Sequence, residues 1–169
     1  MLLPLMLVAA LTACGEARNQ GAEAPEPASL AGRYKPASET ALNAGAIDVQ
    51  RAGLSFANGA ALFTRTLEPR RAVDLTARDG QSYAALIAGA GDLEVELRRV
   101  IDSTAPDRIC AERPTYAALI YGERATGFTL LVFSGAEAPG PNASDTALCA
   151  SYRYSALHGA RTQVGVVLW

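Results

Sequence analysis

Two apolar runs separated by a short polar connection constrain this chain more than anything else in it. Residues 115–121 (TYAALIY) and 128–134 (FTLLVFS) are rich in β-branched and aromatic side chains, and Gly122 and Gly127 bracket the connection between them. Runs of that length and content, punctuated by glycine, predict a β-hairpin whose strands are largely buried. A loop rich in turn formers follows at 135–145 (GAEAPGPNASD), and 148–154 (LCASYRY) predicts a third strand. A hairpin apolar along its whole length needs cover, so the rest of the domain is expected to be more structure of the same kind packed against it.

Upstream segments fit that expectation. Residues 29–34 (SLAGRY) make a short strand, 36–45 (PASETALNAG) has room for one helical turn but reads rather as a loop, and 47–50, 54–56 and 61–67 are strand-like, with Asn58-Gly59 as a tight turn taking positive φ at both positions. In 61–67, Leu62, Thr64 and Thr66 face one way and Phe63, Arg65 and Leu67 the other, an imperfect alternation that suggests an edge. Residues 73–77 and 82–88 around Asp79-Gly80 predict a second hairpin. In 92–100 (DLEVELRRV) Leu93, Val95 and Leu97 share one face, leaving Glu94, Glu96 and Arg98 for solvent. The pentapeptide YAALI occurs at both 83–87 and 116–120, consistent with two hairpins presenting small residues to a shared core. Residues 164–169 (VGVVLW) read as a last strand or as a docked apolar tail. Nine to eleven short strands without a long helix imply an all-β domain over 29–169, either an antiparallel β-sandwich or a small closed β-barrel.

Charge excludes little beyond nucleic acid. Fifteen basic and 17 acidic side chains give a net charge of −2, and the arginines, which account for all basic residues but Lys35, are scattered rather than clustered.

The N-terminus carries an address. Residues 1–13 are apolar and uncharged, too few to span a bilayer but of the length of a signal-peptide hydrophobic region. Leu11-Thr12-Ala13-Cys14 resembles the lipobox of bacterial lipoproteins. That resemblance implies cleavage before Cys14 and acylation of its sulfur, so the membrane is met through an N-terminal lipid that holds the protein durably. Gly15, standing where inner-membrane lipoproteins often carry Asp, implies the outer membrane, facing the periplasm. Residues 14–28 hold no large apolar side chain beyond the acylation site and read as a flexible tether. With Cys14 given to lipid, Cys110 and Cys149 remain as an even pair in an oxidising compartment, and a disulfide is expected. Two separately buried thiols are the alternative; a metal site would lack ligands. Gly32-Arg33-Tyr34 is similar to the Gly-x-Trp opening of lipocalins and of META-type envelope domains, with Tyr in place of Trp, and 54–59 (LSFANG) is similar to a META-type second strand. Those likenesses imply a small β-barrel and carry no activity.

Residues able to do chemistry are sparse. The lone His158 has no orienting partner in its Ala-Leu-His-Gly-Ala setting. Phe133-Ser134-Gly135 lacks the first glycine of a nucleophile elbow. Glu94 and Glu96 on one strand face suit solvation at least as well as a carboxylate pair, and Gly89-Ala-Gly91 is a turn rather than a dinucleotide fingerprint. No catalytic residue, metal or cofactor is therefore expected. Tyrosine is favoured where one end of a ring stays wet, so Tyr116, Tyr121, Tyr152 and Tyr154 form a candidate ligand or partner surface, with Pro139 and Asn142 on the 136–145 loop as its rim; core packing is the plainer alternative. The function expected is a non-enzymatic, lipid-anchored binding module for an envelope protein, glycan or small ligand, like the small β-barrel lipoproteins that inhibit lysozymes in fold and address alone. A structural or assembly accessory of the outer membrane is the second reading, and a hydrolase the third.

Overall fold

A computed structural model of the chain describes residues 29–67, 70–71, 93–122, 124, 126–140 and 143–157. In chain order these form β1 (Gly32–Pro36), α1 (Glu39–Ala44), β2 (Ile47–Gln50), β3 (Gly53–Phe56), β4 (Ala61–Thr66), β5 (Arg70–Arg71), β6 (Leu93–Thr104), a turn of 3-10 helix (Pro106–Arg108), β7 (Tyr116–Gly122), β8 (Gly127–Ser134) and β9 (Ala147–Ala156). Neighbouring strands run in the order β4-β3-β2-β1-β9-β8-β7-β6, and β6 then pairs with β4. Every pairing is antiparallel. Eight strands thus close on themselves, which resolves the choice between sandwich and barrel in favour of the barrel. Short β5 lies against the start of β6, at Val95 and Glu94, beyond the point where β4 ends.

The hairpin expected in the C-terminal half forms, paired from Tyr116 opposite Phe133 to Tyr121 opposite Phe128. Both its faces are buried. Ala117, Leu119 and Tyr121 of β7 join Phe128, Leu130 and Val132 of β8 inside the barrel, with Tyr34, Ile47, Val49, Leu54, Phe56, Leu62, Tyr152 and Tyr154 from other strands. On the outside, Tyr116, Ala118 and Ile120 pack with Leu131, Phe133, Val95 and Leu97 into a second cluster.

Three details depart from the sequence reading. The stretch 36–45 is not simply a loop. Ser38 in extended conformation accepts a hydrogen bond from Ala41 N, Glu39 sits in the first turn, and Gly45 at φ 77° ends the helix α1. This helix occupies the flank of β9 that β1, only five residues long, leaves bare. Ser38 Oγ accepts from Arg153 N at 3.1 Å, and Thr40 Oγ1 donates to Ser151 O at 2.7 Å. Second, β4 is no edge: it pairs on both sides, and the alternation is disturbed by a bulge opposite Phe63 and Thr64, where β6 supplies one residue more than β4. Third, the charged face of β6 points inward. Arg98 pairs with Ala117 and Glu96 with Leu119, both core residues, so their side chains enter the barrel while Leu93, Val95 and Leu97 face the outer cluster. The Asn58-Gly59 turn also differs, with positive φ at Gly59 alone; Asn58 instead braces it by accepting from Ala60 N. The expected hairpin at 73–88, with its YAALI echo, and the 164–169 segment lie outside the described residues, as do Cys14, Asn142 and His158.

Candidate functional site

The inward turn of β6 places two charges where an eight-stranded barrel holds its core. Arg98 is 0% exposed and Glu96 6%. Unpaired, either would be too costly to bury. Glu96 Oε1 lies 2.8 Å from Arg98 Nη2 and 2.9 Å from Nε, so the carboxylate meets the guanidinium through two of its nitrogens. The remaining valences are satisfied by chain segments from all round the barrel's end. Thr66 Oγ1 at the end of β4 donates to Glu96 Oε1 at 3.2 Å, and Arg98 Nη1 donates to Gln50 O at the end of β2 at 2.6 Å. Leu30, just before β1, donates its N–H to Glu96 Oε2 at 2.9 Å and accepts from Arg98 Nη2 at 3.4 Å. In the strand order β1 and β6 are four strands apart in either direction, so residue 30 crosses the barrel end to reach them. Its own side chain, 1% exposed, fills the core there. This network floors the barrel and commits its carboxylate to three hydrogen bonds and to the ion pair with Arg98 Nη2.

The five described members of the candidate surface are all buried. Tyr121, Tyr152 and Tyr154 belong to the inner core and Tyr116 to the outer cluster, while Pro139 is buried in its loop. Rings interlock inside: Tyr34 meets Phe128 edge-on at 4.8 Å, and Phe128 stacks on Tyr154 at 5.3 Å. The correction has a simple cause. Tyr116 stands on β7, which is covered on both faces, and Tyr152 points from β9 into the barrel, so their hydroxyls turn to backbone carbonyls, Tyr152 to Ile109 O and Tyr116 to Ala136 O. Burial raises the Tyr34 and Tyr121 hydroxyls to about 12, and the negative charge of Glu96 adds to the effect on Tyr121. Tyr154 is pushed up as well by burial, and its hydroxyl finds no partner among the described residues.

At the opposite end Cys110 and Cys149 form a disulfide, Cα atoms 5.6 Å apart, tying the segment after the 3-10 turn to β9. Arg108 and Asn58 exchange hydrogen bonds with each other's carbonyls and lock that segment to the β3–β4 turn. The loop joining β8 to β9 is folded around its own acids. Glu137 Oε2 accepts from Ser144 N at 2.6 Å and Asp145 N at 3.1 Å, and Asp145 Oδ2 accepts from Ala136 N at 3.0 Å. The N–H groups of Asp145 and Ser144 hold the Glu137 carboxyl below its usual range. The loop begins at Gly135, whose φ of 103° and closeness to Asp145 O exclude a side chain.

Open depressions occur on the described surface. One, about 340 Å³, runs past Gly122, Gly127, Thr129 and Arg153; another, about 370 Å³, lies between Asp102, Asp107, Cys110 and Arg113. Among the described residues no three His, Cys, Asp or Glu side chains gather round a common point. The buried pair was missed because a Glu-x-Arg alternation reads by default as a wet face. A signal lay in the next position of the same face, Val100, which packs against the inner core. Scanned against family models, curated proteins and solved structures, the chain matches none, and its function is argued from its own residues.

Proposed function

We propose that this protein is a lipid-tethered component of the bacterial envelope, acylated at Cys14, whose barrel is a non-enzymatic binding module for an envelope protein or glycan. The observation that carries the reading is the filled interior. Barrels that hold a small ligand do so in a central cavity. Here that space is taken by interlocked rings and by the Glu96–Arg98 floor, which disfavours an internal small ligand and leaves recognition to the outside. The β8–β9 loop is the best-prepared outer element, being held in shape by its own carboxylates and rooted beside a disulfide; loops fixed on a stiff scaffold carry recognition. An accessory acting through a free strand edge is disfavoured by barrel closure.

Two experiments test this. Palmitate labelling should mark the protein and disappear in Cys14→Ala. Capture from detergent-solubilised envelopes should recover a stoichiometric protein or glycan with wild-type chain and lose it with Glu137→Ala, which unties the loop. Capture unchanged by that substitution would remove the loop from the reading, and label retained in Cys14→Ala would remove the anchor.

A further inference from the structure

Outside the barrel, the seam between β4 and β6 carries an unusual set of neighbours. Arg65 stands directly opposite Arg99 in the strand register, and like charges facing each other across a sheet are unfavourable. Both are exposed, and the Arg33–Asp48 and Arg98–Glu96 ion pairs lie elsewhere. Alongside them two large apolar side chains stand in solvent, Phe63 at 46% and Ile101 at 63% exposed. Alternation sends Phe63 outward, since Leu62 and Thr64 are buried, and the bulge leaves Ile101 and Asp102 together opposite it. Asp102, at the far end of the patch from the arginines, is occupied with Ser103 N at 2.8 Å.

We infer that this seam rests on an anionic phospholipid surface. Guanidinium pairs beside exposed apolar side chains suit a headgroup layer, where phosphates relieve the Arg–Arg repulsion and Phe63 and Ile101 enter the acyl boundary. A second copy of the chain would instead set arginine against arginine. Position supports the same occupant. The tether reaches the domain at Leu30, which is held by Glu96 and Arg98, and Arg99 is the next residue along β6. Ser29 follows Cys14 by fifteen residues; a random coil of that length would span about 20 Å, so a lipid on Cys14 would keep this end of the barrel within reach of the bilayer. The inference uses the anchor proposed above for proximity, while the lipid preference of the face stands on its own residues.

The test uses unlipidated mature chain, Cys14→Ala, sedimented with vesicles of phosphatidylcholine alone or with about one-third phosphatidylglycerol. Binding to the anionic vesicles, weakened by salt, is the expected result, with partition falling roughly fivefold for Arg65→Gln or Arg99→Gln and ~25-fold for both. Ile101→Ser should also weaken binding; circular dichroism confirms that the variants remain folded. Equal partition into both vesicle types, or a double variant that binds like the parent, overturns the proposal. So does an envelope protein captured through these arginines in the absence of vesicle binding. Because the anchor is missing from this assay, its outcome and the palmitate result fail independently.

Discussion

At residue scale the most consequential side chain is Arg98, since it and Glu96 are ionised groups sealed in a core. Removing one partner from a buried pair costs about 3–5 kcal/mol, whereas replacing both with apolar groups recovers much of that. Urea denaturation of Arg98→Met should therefore show a loss of that order. The double variant Glu96→Leu/Arg98→Met should regain part of it, with a residual deficit because Leu30 N–H and C=O, Gln50 C=O and Thr66 O–H lose their partners, each such group costing about 1–3 kcal/mol where water cannot reach it. Full additivity of the two single losses would mean that the charges do not act as a pair. The tyrosines give a second prediction. Tyr34 and Tyr121 hydroxyls sit at about 12 in the folded chain, against about 10 when unfolded. Between those values the folded state keeps protons that the unfolded state sheds. Their contribution to stability is thus complete below pH ~10 and disappears as pH rises through ~12. Tyrosinate absorbance should lag in the native protein and appear together with alkaline unfolding; a full titration near pH 10 with the fold intact would contradict the burial.

At the scale of elements, the legible parts were those whose sequence pattern has one physical solution. Residues 115–121 and 128–134 carry large apolar side chains on both alternating faces, so burial on both faces follows whichever way the strands turn. The 92–100 strand was legible as a strand and not as an orientation, because period two fixes which residues share a face but not which face is wet. Helix α1 was hidden for another reason: six residues cannot establish a helical period, and only the Ser38 cap and the Gly45 stop announce it. That cap should matter, since Ser38 Oγ serves both Ala41 N and Arg153 N. Ser38→Ala is expected to cost about 1–2 kcal/mol in thermal or urea unfolding; a cost near zero would show that the helix is held by Ala41 and Ala44 packing alone. The four tyrosines of the candidate surface follow the plainer core-packing reading; composition locates aromatic residues in a segment without saying which of its sides lies against another layer, which is why both readings stood.

For the molecule as a whole, strand count and turn spacing made the all-β class legible, while closure depended on a pairing no local pattern contains, β4 with β6, more than thirty residues apart. The disulfide closes a separation of 39 residues, and on the chain-entropy model it should stabilise the fold by about 4 kcal/mol. Non-reducing mass analysis should show Cys110 joined to Cys149, and dithiothreitol should lower the urea midpoint without changing the strand-dominated circular dichroism spectrum at low denaturant. An unchanged midpoint would place the bond outside the cooperative unit.

The grip on Leu30 has a mechanical consequence. A leash fastened only to β1 would peel that short strand away one rung at a time when tugged. Because both backbone groups of residue 30 are clasped by side chains from the far wall, traction on the N-terminus is shared between opposite sides of the cylinder. In a single-molecule pulling experiment from that terminus, the first rupture should be the release of the clasp, and its force should fall in Arg98→Met before any strand comes loose.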